Sequence, residues 1–456
     1  MDFTKNMKRR KRPGAVLIVS LIFVLIFSAL AVSLATISAN NVQIASNHHQ
    51  TNAALAAAYS GLEVLRYHLA KVSISGTTAA EDRLQATTTA LQSYLTAADI
   101  TNVSASYNGS SMTVPAVTLN STGNQTFTIT ITAISDDVMR ADVTGNAYQL
   151  SRTIRTNFNI TEVGNSVFDY GVATKGPLVL EGNVDFEGAS VAVEASVYIE
   201  SASTIEALSI SGNSQIAGNV SISNPDATVT LSGNASIGGE TGDDAIDNHV
   251  ETGVDTADFP QPVPSYFEQY IDDVIDMNET TFENIRIPAG TNPTFSSDVI
   301  LRGIIYIETP NVLRFSGSAD ITGIIVGDGD WNDDSATNSI TFTGNVQSNP
   351  ISTLPEEEKF DGIRTETGTF LMAPGFSVSF GGNFDTLNGT IAANGIEFTG
   401  NAGGTIAGSV INYSSTPMTL SGNNDLYFNR SGITEPPAGF VSSQKLTYQP
   451  ESYSEI

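Results

Sequence analysis

The chain has 456 residues, more than one ordinary hydrophobic core can use and enough for two or three domains. Its 48 Asp and Glu against 20 Lys and Arg give a formal charge of −28, which repels phosphate backbones and speaks against nucleic acid as a partner. There is no cysteine, so disulfides, thiolate metal sites and cysteine nucleophiles are excluded.

Six of the twenty basic residues lie in the first twelve positions, and Lys8, Arg9, Arg10, Lys11 and Arg12 run straight into Pro13-Gly14-Ala15. After Arg12 no Asp, Glu, Lys or Arg occurs until Glu63. From Ala15 to Ala39 only Ser20, Ser28, Ser33, Thr36 and Ser38 interrupt the apolar run. As a helix this stretch reaches about 37 Å, enough to cross a bilayer, and the basic leader holds the N-terminus on the cytoplasmic side. Three readings fit: a plain signal anchor, a cleaved secretory signal with Ala29-Leu30-Ala31 as the small-residue site, or something that uses the continuation. That continuation is helical. No Pro or Gly appears between Ala15 and Gly61, and Leu55, Tyr59, Leu62, Val64, Leu65 and Leu69 recur near helical spacing. One helix from Ala15 to about Ala70 would be roughly 80 Å long, membrane-soluble in its first half and amphipathic in its second.

A basic leader ending in glycine, then an uncharged helix that turns amphipathic, resembles the class III signal peptides of type IV pilins and type II secretion pseudopilins. The wording from Arg12 to Val19 looks most like the PilX/GspK kind of minor pilin. The resemblance covers residues 8–70. It implies a prepilin peptidase that cuts after Gly14 and leaves Ala15 as the mature N-terminus. It also implies other pilin or pseudopilin subunits as partners. Major pilins carry a glutamate at the fifth mature position, paired with a neighbouring subunit's terminal amine; this chain has Val19 there, which argues against a repeating fibre subunit.

Ser73–Thr78 should break the helix, and residues 79–97 read as a second one, with Leu84, Leu91 and Leu95 on one side. Phe127, Ile129 and Ile131 alternate with threonines as a half-buried strand. Asp136-Asp137 then turns the chain into Val138–Val143, and Gly145-Asn146 leads to Tyr148–Ile160. A long helix followed by an antiparallel sheet is also the pilin layout.

From about Val167 the grammar changes. Leu180-Glu-Gly-Asn183, Ile210-Ser-Gly-Asn213, Leu231-Ser-Gly-Asn234, Phe342-Thr-Gly-Asn345, Phe380-Gly-Gly-Asn383, Phe398-Thr-Gly-Asn401 and Leu420-Ser-Gly-Asn423 repeat one phrase, with Phe315-Ser-Gly-Ser318 as a variant. Short strands recurring about every 20 residues with one turn predict stacked coils about 4.8 Å apart, a parallel β-helix. The leading apolar residue would point into the core, the glycine would serve a positive-φ turn, and the asparagines would stack as ladders. Gly-Asn is also a hairpin signal, so a β-sandwich is the competing fold. Pro260, Pro262 and Pro264 end an acidic loop over 240–258, and Ser265 with Glu268 reads as a capping box that opens a helix near 266–277, placed to cover the coils.

Parallel β-helices can carry polysaccharide-cleaving sites, which need clustered carboxylates or a base on one face. Between 167 and 440 the bases are Lys175, Arg286, Arg302, Arg314, Lys359, Arg364 and Arg430, and the histidine His249 lies in the acidic loop. No nucleophile elbow, zincin motif or phosphate loop appears. Asp328 to Asp334 alternates oxygen ligands as a calcium loop does, but Ser339 stands where an EF-hand requires glutamate, and a solvated turn is the simpler reading. Trp331 fits a sugar contact or a turn folded onto a coil.

These residues describe a mainly β protein with a long N-terminal helix. The parts are a leader (1–14), a pilin-like transmembrane and amphipathic helix (15–70), a second helix with an antiparallel sheet (71–166), a β-solenoid (167–440) and a polar tail (441–456). The expected function is a non-enzymatic minor pilin or pseudopilin in a bacterial inner membrane, single-pass, its ectodomain outside and able to meet a surface ligand or glycan. No catalytic, cofactor or metal residue is assigned. A secreted β-helix enzyme acting on polysaccharide, or an anchored adhesin, is the alternative.

Overall fold

The computed structural model describes residues 13–97, 100–120, 123–201, 205–333, 337–431 and 436–456. The described chain divides into two compact units: residues within 13–74, 78–161 and 445–456 form the first, and those within 75–77 and 162–444 form the second.

In the first unit, α1 (Pro13–Leu69) runs unbroken for 57 residues and α2 (Arg83–Ala97) follows. Their sheet has seven strands in the order Ser73–Ser75, Ser443–Glu455, Leu150–Val163, Val138–Ala147, Gln125–Ser135, Met112–Thr118 and Ser106–Tyr107. The alternation read in the sequence sets the register: Phe127, Ile129 and Ile131 face Gly145, Val143 and Ala141. These apolar side chains form one core with Leu62, Leu65 and Leu69 of α1 and Leu84, Leu91 and Leu95 of α2. Across the same sheet Arg155 grips Asp142 with two hydrogen bonds of 2.6 and 2.9 Å.

The approach of α1 to the sheet rests on small residues that hydropathy did not single out. Ala54, Ala57 and Ala58 are buried, and a Cβ on Gly145 would fall on the Ala54 carbonyl oxygen and the Ala58 amide. Glycine there lets the helix backbone lie on the strand. Tyr59 is 42 % exposed; it stacks on Tyr453, ring centroids 5.9 Å apart, with a 2.5 Å hydroxyl–hydroxyl bond. The polar tail is thus a strand, Ser443–Glu455. It buries Gln444 and Leu446 and half-buries Tyr448 and Tyr453.

The second unit is a parallel β-helix. Its 12-stranded and 14-stranded sheets run along the coils, and their inward side chains make one continuous apolar core. The strand order is not the chain order. Strand Leu178–Gly188 lies between Glu206–Gly212, which follows it, and Met418–Phe428, which comes last. Likewise Val172–Thr174 lies between Val197–Ile199 and Val410–Asn412. The chain therefore starts in the middle of the solenoid and winds outward to Val250–Thr252. It returns to the far end, then winds back from Thr281–Ile287 until the last coil closes against the first.

The return segment passes over the outer face of the 12-stranded sheet, where Tyr198, Ile304, Tyr306, Ile324, Val326, Met372 and Tyr413 form a second apolar layer with Phe267. Tyr198 accepts the Ala257 N–H through its hydroxyl (2.9 Å), and Tyr413 donates to the Pro260 carbonyl (2.6 Å). The helix expected near 266–277 is a shorter 3-10 turn, Pro264–Tyr270, followed by the strand Asp273–Val274. No capping box forms: the cap position is Val263, and Glu268 instead accepts from Tyr306 (3.1 Å) and meets Arg286 (3.6 Å). Beyond it the backbone is taken by the end coil, where Asp273 and Val274 pair with Ile285 and Arg286. The acidic loop likewise contains a helix, α3 (Gly242–His249), which buries Ala245.

Candidate functional site

The N-terminal half of α1 is the most unusual surface in the described chain. From Val16 to His49 every residue is exposed, including Leu17 at 73 % and Phe27 at 66 %. A water-exposed apolar face of this size is not stable in solution and requires lipid or apolar partners. The helix is long and apolar enough to cross a membrane. Two of its hydroxyls are satisfied on the helix itself: Ser20 donates to the Leu17 carbonyl (2.9 Å) and Thr36 to the Val32 carbonyl (2.7 Å), so neither enters hydrocarbon unpaired. Val19 is exposed on the same surface. Gly14 and Ala15 lie in the first turn of α1. The leader, Lys8 to Arg12, lies outside the described residues.

The repeated Gly-Asn phrase forms one corner of the solenoid. Asn183 donates its amide to Asn423 (2.7 Å), Asn213 to Asn183 (2.7 Å) and Asn234 to Asn213 (2.8 Å), a ladder across four coils. Gly182 and Gly212 have φ of +104° and +79°, as the turn argument required. Gly317, Gly344 and Gly382 are not in that region. There glycine is needed for a different reason, because a Cβ on Gly344 or Gly382 would strike the carbonyl of the corner glycine one coil away.

Asp328 and Asp330 are already engaged: Asp328 accepts the Thr309 N–H from the neighbouring coil (2.6 Å) and Asp330 the Asn332 N–H of its own turn (2.9 Å). Asp334 lies outside the described residues. Among the described residues no group of three acidic or histidine side chains is placed to hold a metal. Trp331 is folded onto a coil. Its ring lies 4.6 Å from the Lys175 ammonium, which also faces Phe259 (5.3 Å) and Tyr413 (5.7 Å). This cation–π box joins the return segment to the coils on either side of the closure. No sequence pattern marks it, because its members come from four distant stretches.

Most bases of the solenoid are used structurally. Arg286 binds Glu308 (2.7 Å), Arg302 and Lys359 converge on Glu283 (3.0 and 2.6 Å), Arg364 pairs with Asp361, and Arg430 donates to the Phe168 and Asp169 carbonyls. The Lys359 and Arg302 hydrogen bonds hold the Glu283 carboxyl below its ordinary range despite partial burial, and Arg286 does the same for Glu308. Both act as fixed anions in ion pairs.

Residues 14–63 match the family model described as PilX N-terminal. No curated protein matches the sequence. Among solved structures, the crystal structure of the competence-associated pilin ComZ from Thermus thermophilus aligns over 89 % of this chain and 97 % of its own. The identity is 12 % and the TM-score 0.22, too slight a likeness to carry anything across. The matched residues begin at the glycine expected to precede the cut and end within the buried half of α1. The chain thus has a minor type IV pilin-like N-terminus of the PilX kind, followed by a large parallel β domain.

Proposed function

We propose that the protein is a non-enzymatic minor pilin or pseudopilin that enters a type IV pilus or a type II secretion-like assembly and presents its solenoid outside the membrane. The observation that carries this reading is α1. An apolar half that is exposed over its whole length continues without a break into a half buried in its own sheet, and the PilX match covers both. A simple anchor has no need of that rigid continuation; a subunit packed helix to helix does. Val19 offers no carboxylate to a neighbour's terminal amine, which suits a position at a tip or initiating complex rather than a repeating one. The division of labour follows: α1 for incorporation, the solenoid for contact with the surroundings.

Gly14 precedes the scissile bond on this reading, since a prepilin peptidase must admit a small residue beside the basic leader. Intact-mass measurement of the membrane-extracted protein should give a chain starting at Ala15, and Gly14→Val should leave the leader attached. A start near Val32, or normal shortening of the variant, would overturn the assignment. Mass spectrometry of sheared fibres should find the chain at low copy beside a major subunit, and labelling along the whole fibre at near-equal stoichiometry would exclude the tip position.

A further inference from the structure

A groove of about 750 Å³ runs along one flank of the solenoid, across four neighbouring coils. Its floor is the row Val299, Ala319, Val346 and Phe384, in register from coil to coil with side chains buried in the core. One wall is the outward row Asp298, Ser318, Asn345 and Asn383. The other is Ile300, Asp320, Gln347 and Asp385. The backbone between them is already committed: Val299, Ala319 and Val346 donate their N–H groups to the Ser318, Asn345 and Asn383 carbonyls. An extended peptide would find no free strand edge here, so only the side chains are available to a ligand.

Four of those side chains are open. Asp298 accepts the Ser318 N–H (2.9 Å) and Asp320 the Asn349 amide (2.7 Å). Asn345, Gln347, Asn383 and Asp385 have no side-chain hydrogen bond to the rest of the described chain. The contrast lies within the molecule, because Asn423, Asn183, Asn213 and Asn234 occupy the same corner on other coils and are closed into a ladder. No Lys or Arg lines the groove, and three carboxylates do, which disfavours phosphate and uronic-acid ligands. Amides that donate and accept, beside carboxylates that accept, match hydroxyl groups, which do both. Coils about 4.8 Å apart repeat these groups on the scale of a sugar ring.

We propose that this groove binds a neutral, hydroxyl-rich glycan laid along the solenoid axis. The inference names a ligand class for the outward-facing domain. It rests on the proposed function only for where such a glycan is met, since binding itself needs no fibre. The test is affinity electrophoresis of the detergent-solubilised full chain in gels containing dextran, galactomannan or mixed-linkage β-glucan, with alginate as the anionic control. Retardation is expected in at least one neutral gel and not in alginate. Asn345→Ala with Asn383→Ala should weaken it by about tenfold, the loss of hydrogen bonds from two amides. Ser318→Trp should fill the groove and abolish retardation with an unchanged thermal melt, and Asn213→Ala, in the closed ladder, should leave binding intact. No retardation in any neutral gel, equal or stronger retardation in alginate, or full binding by the double variant would overturn the proposal. Fibre incorporation is scored separately: binding without incorporation sinks the pilus reading alone, and incorporation without binding sinks the groove alone.

Discussion

Stacking identical coils places like residues above one another, which helps asparagine and harms aspartate. Asp185 faces Asp425 across the closure and Gln215 on its other side. Its partial burial, then the charges of Asp425 and Glu187, raise its carboxyl above the ordinary aspartate range, with a hydrogen bond from Gln215 opposing them. A raised carboxyl binds its proton more tightly when folded. Its stabilising contribution is therefore present below the ordinary aspartate pKa, about 4, and is lost as pH rises through the raised value. Near neutrality the charged Asp185 works against the fold. Asp185→Asn should raise the melting temperature at pH 7 by on the order of 1–2 °C and give no advantage near pH 3.5. A variant less stable at pH 7 would mean that the carboxylate has a favourable partner and that this account is wrong.

At the scale of the element, the interior counterpart of the asparagine ladder is a column of phenylalanines. Phe295, Phe315, Phe342, Phe380 and Phe398 stack with centroids 4.6, 4.7, 5.1 and 5.2 Å apart, and Leu420, Leu180, Ile210 and Leu231 continue the same register. Phe342 sits mid-column and is fully buried, so Phe342→Ala leaves a cavity bounded by rigid coils. Denaturant unfolding of that variant should show a loss of roughly 3–5 kcal/mol, with less for Phe342→Leu; a loss under about 1 kcal/mol would mean the column can collapse. The repeated phrase that encodes this column was legible because one residue must fill the core while the next two must turn the corner. The long helix was legible for a similar reason, since an uncharged apolar run leaves few alternatives. What escaped were features whose signal is pairwise. The strand Ser443–Glu455 looks polar because its buried positions include Gln444 beside Leu446, so no apolar alternation marks it. The stretch after Ile271 looked helical because Ile271, Val274 and Ile275 are spaced 3 and 4 apart, yet the end coil offers Asp273 and Val274 a strand partner. The groove was illegible too, because it takes single residues from four separate coils. Coil order was hidden as well, because every coil carries the same period whichever neighbour it meets.

That hidden order has a topological cause at the scale of the whole molecule. The solenoid is inserted between Leu150–Val163 and Ser443–Glu455, which are neighbours in the seven-stranded sheet. A solenoid wound in simple chain order begins and ends at opposite tips, whereas an insert between adjacent strands must begin and end close together. Starting at mid-length, with a strap to carry the chain back from one tip to the other, satisfies both. The consequence is a closure made between distant segments: Met418–Phe428 pairs with Leu178–Gly188 over eleven consecutive residues, and Asn183 meets Asn423 240 positions away. The first coil laid down has its inner neighbour missing until the last is made, so contacts of very high sequence separation must form late and slowly. A chain lacking residues 409–429 retains both runs of coils but opens the strand at 178–188 on one side. Hydrogen exchange on that deletion should show protection lost throughout 172–188 and across the box formed by Lys175, Phe259 and Trp331, while the stacked phenylalanines from Phe295 to Phe380 stay protected. Full protection of 172–188 without the last coil would mean that the outward run folds by itself and that the closure only joins two finished pieces.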